Sequence, residues 1–208
     1  MKKISILGDS ISTYQGYTNP AGVFYDLFNA TYADMRGVDD TWWMRVIHGL
    51  GGTLEVNDSF SSTTVSGSSP LCSCSDERTS ALGHPDMILV FMGTNDYGYH
   101  IDTLSFERDY RTMLRKLQAN YPSAEIWCGT LIWSYCIKEE YNNYYGDLPG
   151  GLAALEPYNR IIRAVAKDAG CPVADLAAAN VEYAAIDCAH PHADGMKTIA
   201  ELWLNCLR

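Results

Sequence analysis

Short apolar, β-rich runs alternate with amphipathic helical patterns along this sequence. The runs are Lys3–Leu7, Thr53–Asn57, Met87–Met92, Glu125–Thr130 and Pro172–Asp175. Each is brief and bounded by Gly, Pro, Asp or Asn, as buried strands are. Between and after them, apolar residues recur at helical spacing: Trp42, Trp43, Val46, Ile47 and Leu50; Phe106, Tyr110, Met113, Leu114 and Leu117; Leu155, Tyr158, Ile161, Ile162 and Val165; and Ile199, Leu202, Trp203 and Leu207. A helix between two strands lets them run parallel, so the alternation predicts a parallel sheet covered by helices on both faces. Sites in such sheets form where loops leave the carboxyl ends of the strands. Any candidate residue should therefore fall just after a strand.

Two segments break the alternation, Ile11–Asp40 and Ile132–Gly151. The first carries Tyr14, Tyr17, Phe24, Tyr25, Phe28 and Tyr32, and the second Trp133, Tyr135, Tyr141, Tyr144 and Tyr145. Long connections in a compact domain are functional or disordered, and this aromatic content argues against disorder. No internal repeat or interdomain linker is visible, and 208 residues suit one domain spanning 1–208.

The net charge of -10 disfavours nucleic acid and anionic membranes as partners. The apolar run after Lys2 and Lys3 is broken by Gly8 and Asp9, too early for a signal peptide. No stretch is long enough to cross a bilayer, and the chain reads as cytoplasmic. The seven cysteines are an odd number, several of them inside apolar runs, and they read as reduced thiols. Cys72-Ser73-Cys74 has no second pair to build a zinc site with. No metal and no cofactor is expected.

Four stretches carry polar chemistry, three of them directly after a strand. Gly8-Asp9-Ser10 follows the first strand, and there Ser10 is either a nucleophile or a helix cap. Asn57-Asp58-Ser59-Phe60-Ser61-Ser62-Thr63 follows the second and is either a donor loop or a Ser/Thr-rich connection. Gly93-Thr94-Asn95-Asp96 follows the third, where Asn95 either donates its amide to a developing oxyanion or makes an Asx turn. Asp187-Cys188-Ala189-His190-Pro191 lies near the C-terminus. Serine needs a base to take its proton, and the base needs a carboxylate to orient it. One loop can carry both here.

Taken together, these blocks resemble the SGNH hydrolases, or GDSL-type esterases. Gly8-Asp9-Ser10, Gly93-Thr94-Asn95-Asp96 and Asp187-x-x-His190-Pro191 match three family blocks in order. The second block departs: Ser62 stands where the family has glycine. Any non-proline residue supplies the backbone N–H that this glycine donates, but a position requiring positive φ would strain Ser62. The resemblance implies a flavodoxin-like three-layer α/β/α sandwich with five parallel strands. It implies a catalytic set of Ser10, Asp187 and His190, with an oxyanion hole formed by Ser10, Ser62 and Asn95. The chain lacks the Gly-x-Ser-x-Gly elbow of ordinary α/β-hydrolases.

His192 is a rival base that the Asp-x-x-His-Pro pattern disfavours, while His48, His84 and His100 read as structural or solvated. Asp9 reads as a brace between loops. Arg78 either binds an anionic group or pairs with a carboxylate. The expected reaction is hydrolysis of a small-molecule or carbohydrate ester. Tyr14, Tyr17, Trp133 and Tyr135 form a candidate platform for a sugar, rimmed by Asn19, Asn142 and Asn143. The same aromatics would also line an acyl-chain tunnel, as in a lipase or lysophospholipase, or simply pack the loops. A non-catalytic binding module and a flavodoxin-like mononucleotide binder are the readings from other classes. The sequence does not speak to oligomeric state.

Overall fold

The computed structural model describes residues 1–137 and 148–208. Tyr141, Asn142, Asn143, Tyr144 and Tyr145 lie outside the described residues. The strands are β1 (Lys3–Gly8), β2 (Thr53–Ser59), β3 (Met87–Phe91), β4 (Glu125–Gly129), β5 (Ser134–Cys136), β6 (Val173–Ala174) and β7 (Tyr183–Ala185). The α-helices are α1 (Leu27–Tyr32), α2 (Trp42–Gly49), α3 (Asp76–Thr79), α4 (Thr94–Gly98), α5 (Thr103–Asn120), α6 (Leu152–Asp168) and α7 (Ala193–Leu207).

The central sheet has five strands, all parallel, in the order β2-β1-β3-β4-β6. These are the five runs read from the sequence, with ends moved by one or two residues. Their side chains alternate between the two faces, as the strand period of two requires. Ile4, Ile6, Met87, Leu89 and Phe91 join a buried cluster with Trp42, Val46, Ile199 and Trp203 of α2 and α7. Leu7, Ile88 and Val90 point the other way, into a cluster with Phe106, Tyr110, Leu155 and Ile162 of α5 and α6. The result is a three-layer α/β/α sandwich with the flavodoxin-like strand order.

Large side chains carry the packing. Trp42 stacks on Trp203 at 5.4 Å between ring centroids, and both are fully buried. Trp203 lies so close to the sheet that a Cβ on Gly129 would sit 2.5 Å from its ring. Burial of a side chain this size contributes several kcal/mol, and truncating it to alanine costs about 3–5 kcal/mol.

The described parts of the two segments outside the alternation carry short elements of their own. Within Ile11–Asp40 are the short helix α1 and 3-10 turns at Pro20–Gly22 and Val38–Asp40. In the second, β5 pairs in parallel with β7 to form a separate two-stranded sheet. Among the described residues, no helix is long and apolar enough to cross a membrane. Strand order reverses at β1, between β2 and β3, so the loops after β1 and β3 flank the position where doubly wound sheets bind ligands.

Candidate active site

Ser10 opens a single 3-10 turn, Ser10–Ser12, directly after β1. Asp9 caps this turn by accepting the Ile11 N–H at 3.0 Å. Gly8 is required by close approach, since a Cβ there would meet Ser12 Cβ at 2.5 Å and Ser59 Oγ at 2.7 Å. The chain therefore turns sharply out of the sheet, and Ser10 is held in place 6% exposed.

Asp187 and His190 come from the loop between β7 and α7. The His190 imidazole is 5% exposed, with Nε2 2.9 Å from Ser10 Oγ and Nδ1 2.6 Å from Asp187 Oδ2. A carboxylate only accepts, so Nδ1–H donates to Asp187 and leaves Nε2 to accept from the serine hydroxyl. The other carboxylate oxygen, Oδ1, accepts the N–H groups of Ala189 at 3.1 Å and His190 at 2.7 Å. Burial pushes the Asp187 carboxyl up. The hydrogen bonds and charge of His190 outweigh that and hold it below the usual carboxylate range.

The loop around these residues is pinned on all sides. Cys136 of β5 is disulfide-bonded to Cys188. Ser134 Oγ donates to the Cys188 carbonyl. Tyr183 donates to the Ala189 carbonyl at 2.6 Å, and Tyr25 to the Pro191 carbonyl at 2.8 Å. The Phe24 ring lies flat on His190, with centroids 3.5 Å apart and planes 8° from parallel. The disulfide corrects the expectation that all the thiols are reduced: Cys72, Cys74, Cys128, Cys171 and Cys206 are free, and Cys136 and Cys188 are not. These two lie 52 residues apart, and the fold alone makes them neighbours.

The candidate oxyanion donors Asn95 and Ser62 lie on two segments that are tied to each other. Asn95, in the first turn of α4, is 2% exposed and donates from Nδ2 to the Thr63 carbonyl at 2.8 Å. This bond ties α4 to the loop that carries Ser62. Ser62 is in the left-handed region, with φ at 61°. The family glycine is thus replaced where glycine is conformationally favoured, so the Ser62 backbone carries the strain while its side chain is exposed. Asp96 accepts the N–H groups of Val65 at 2.8 Å and Ser66 at 3.0 Å, bracing the same loop. Burial pushes the Asp96 carboxyl up to about 6. It also pushes Asp9 up to about 7 against the pull of the Ile11 N–H, and Asp96 raises Asp9 further.

Arg78 is the paired group of the two readings left open above. It is 4% exposed, and its guanidinium binds Asp58 Oδ2 at 2.6 Å, the Gly8 carbonyl at 3.0 Å and the Leu71 carbonyl at 2.7 Å. It thus clamps the ends of β1 and β2 together. His192 caps α7 through Nδ1 and is not in the Ser10–Asp187 line. His48, His84 and His100 are exposed.

The aromatic candidates are less concentrated. Tyr14 packs edge-on to Tyr17 at 6.2 Å, and Tyr17 packs on Trp43 of α2. Trp133 is 9% exposed, against Tyr97 at 6.0 Å. Tyr135 is 51% exposed on β5. Sequence reasoning did not single out Phe24, Tyr25, Tyr183 or the disulfide as site features. Cys188 was the available signal, a cysteine lying inside the Asp-x-x-His block.

The family model for GDSL-like lipases and acylhydrolases matches residues 2–147. That stretch carries Ser10, Ser62 and Asn95, while Asp187 and His190 lie beyond it. No curated protein matches the chain. Among solved structures, a Bacteroides ovatus protein described as a GDSL-like lipase is 25% identical, with a TM-score of 0.73 over 97% of this chain and 95% of that one. A Bacteroides uniformis protein with the same description is 27% identical, with a TM-score of 0.68 over 97% of this chain and 92% of that one. The native aryl esterase of M. smegmatis, 16% identical, shares the fold with a TM-score of 0.70 over 100% of this chain and 99% of that one. The blocks at the strand ends, the strand order and the family match converge on one assignment: the chain belongs to the SGNH hydrolases, the family of GDSL-like lipases and acylhydrolases.

Proposed function

We propose that residues 1–208 act as one serine esterase that cleaves a carboxylic ester through an acyl-enzyme. The observation that carries this reading is the continuous line from Ser10 Oγ through the His190 ring to Asp187, with separations of 2.9 Å and 2.6 Å. Ser10 attacks the ester carbonyl carbon while His190 Nε2 takes its proton. Asp187 holds the ring and stabilises its charged form. The proton then passes to the leaving alcohol, and water repeats the sequence to release the acid. Negative charge on the carbonyl oxygen is met by the N–H groups of Ser10 and Ser62 and the amide of Asn95. A fluorophosphonate probe should label wild type and not Ser10→Ala. Labelling that persists in the variant moves the nucleophile elsewhere.

For the substrate, we read a small acyl group, acetyl above all, on a carbohydrate. Exposed Tyr17 and Tyr135 offer ring faces, and exposed Asn19 offers a polar rim. A second reading, a longer-chain acylhydrolase, is favoured by a different feature. Leu27 and Phe28 are 78% and 75% exposed, and a cleft of about 170 Å³ lies between Phe24, Phe28, Tyr32 and Ile186 beside Asp187. A panel of p-nitrophenyl esters of rising chain length, run beside acetylated sugars, separates the two. Activity confined to acetyl groups supports the first, and preference for long chains supports the second. For the compartment, the Cys136–Cys188 disulfide supports an oxidising one over the cytoplasm expected from the sequence.

A further inference from the structure

The segment between the nucleophile and α2 brings a ring into flat contact with the proposed base. Phe24 lies parallel to His190, 3.5 Å from it. The Phe24 backbone and its neighbour Tyr25 tie this stretch to both sides of the reacting pair. The Phe24 N–H donates to Thr13 Oγ1 at 2.9 Å, and that hydroxyl donates to the Ser10 carbonyl at 2.9 Å. The Phe24 carbonyl accepts the Asn29 amide at 2.8 Å. On the other side, Phe24 meets the Tyr25 ring edge-on at 4.9 Å, and the Tyr25 hydroxyl holds the Pro191 carbonyl, next to His190.

From this geometry we propose that Phe24 is a positioning residue for the ester hydrolysis, acting through His190. The inference rests on the Ser10–His190 reading above. Two effects follow from a flat stack. The imidazole cannot rotate about its bond to Cβ without driving into the phenyl face, so Nε2 stays aimed at Ser10. In addition, the face of a phenyl ring is electron-rich and attracts a cation more than a neutral ring. His190 is neutral before attack and becomes an imidazolium as the Oγ–carbon bond forms and the proton moves to Nε2. Phe24 therefore holds the charged ring of the transition state more strongly than the neutral ring of the resting enzyme, which is the condition for raising turnover. The aromatic segment after Ser10 thereby gains a role separate from substrate binding: it seats the base.

Phe24→Leu and Phe24→Met keep an apolar cover of similar volume without a π face, and Phe24→Tyr keeps the face. With p-nitrophenyl acetate, the Leu and Met variants should lose about tenfold in kcat, within the twofold to thirtyfold span of such contacts, while KM stays within about twofold. Phe24→Tyr should stay within about threefold of wild type in kcat. Circular dichroism and melting curves identify which variants are folded, and either of the first two suffices. Wild-type kcat in a folded Leu or Met variant overturns the proposal. So does a loss in Phe24→Tyr as large as theirs, which would make shape rather than the ring face the cause. Ser10→Ala is assayed alongside. If it keeps turnover, the Ser10–His190 reading and this inference fall together. If it is inactive while Phe24→Leu runs at full rate, only the inference falls.

Discussion

Replacing Cys136 and Cys188 together by serine cuts the covalent tie between β5 and the loop that carries Asp187 and His190. The pair closes a loop of 52 residues. For a loop of that length, the chain-entropy relation gives about 14 cal/mol/K, or about 4 kcal/mol at 25 °C. Against a typical domain stability of roughly 5–15 kcal/mol, that is a large share. For a chain of this size it corresponds to a fall in Tm of about 8–16 °C. Turnover should suffer less. The loop keeps the Ser134 bond to the Cys188 carbonyl, the Tyr183 bond to the Ala189 carbonyl and the two N–H groups that Asp187 accepts. At 25 °C the double variant should therefore lose less than about tenfold in kcat/KM, since the bonds that aim His190 are mostly retained. Two assays check this: urea unfolding of wild type, with and without a thiol reductant, beside the double variant; and thiol titration of unreduced, denatured wild type. The titration should find the five free cysteines, rising to seven after reduction. Seven thiols before reduction, or a double variant with the urea midpoint of wild type, would refute the reasoning.

The other predictions concern the same strand ends. Asn95→Ala should lower kcat about a hundredfold or more with little change in KM if, as proposed, the lost amide serves the oxyanion; a wild-type kcat would remove Asn95 from that role. Ser62→Gly relieves a left-handed residue at a cost in unfolded-chain freedom, so it should change stability by about 0 to +1 kcal/mol and leave kcat within about threefold. A loss above about 1 kcal/mol in urea would show that the serine side chain holds the loop in a way its exposure does not suggest. Asp9 rises from 3.8 to about 7 on burial. The folded chain then holds this proton more tightly than the unfolded one, so the contribution is full below about pH 4 and lost as pH rises through about 7. Between those limits wild type should lose up to about 4 kcal/mol relative to Asp9→Asn. Urea midpoints of the two proteins that keep a constant difference from pH 4 to pH 8 would contradict it.

Much of this architecture was legible in the residues. The short apolar runs bounded by turn residues marked the five strands of the central sheet, because a strand buried on both faces must be apolar along its length. The helical spacings of Trp42–Leu50, Phe106–Leu117 and Leu155–Val165 marked α2, α5 and α6, because each helix buries one face against the sheet. Ser10 and Asn95 could be picked out because polar site residues in a parallel sheet gather at strand ends, and local sequence shows where strands end; Asp187 and His190 stood out by their close spacing and by the resemblance to the family's block. The structure brings Ser10, Asp187 and His190 within hydrogen-bonding distance.

What stayed hidden depends on contacts between distant parts of the chain. Ser134-Tyr135-Cys136 is too short to show a period, and it becomes β5 only because β7 lies beside it. Arg78 was open to an anion or, as the plainer reading, a carboxylate, and the ends of β1 and β2 that close around it decide for the carboxylate. The left-handed turn at Ser62 and the Cys136–Cys188 bond are likewise set by where the strands place the loops. Sequence determined which residues are apolar, which are chemically able and where the chain turns, since those properties are local. The seating of His190 between Asp187, Ser10 and the face of Phe24 was decided by tertiary structure, because it depends on packing that joins residues more than a hundred positions apart.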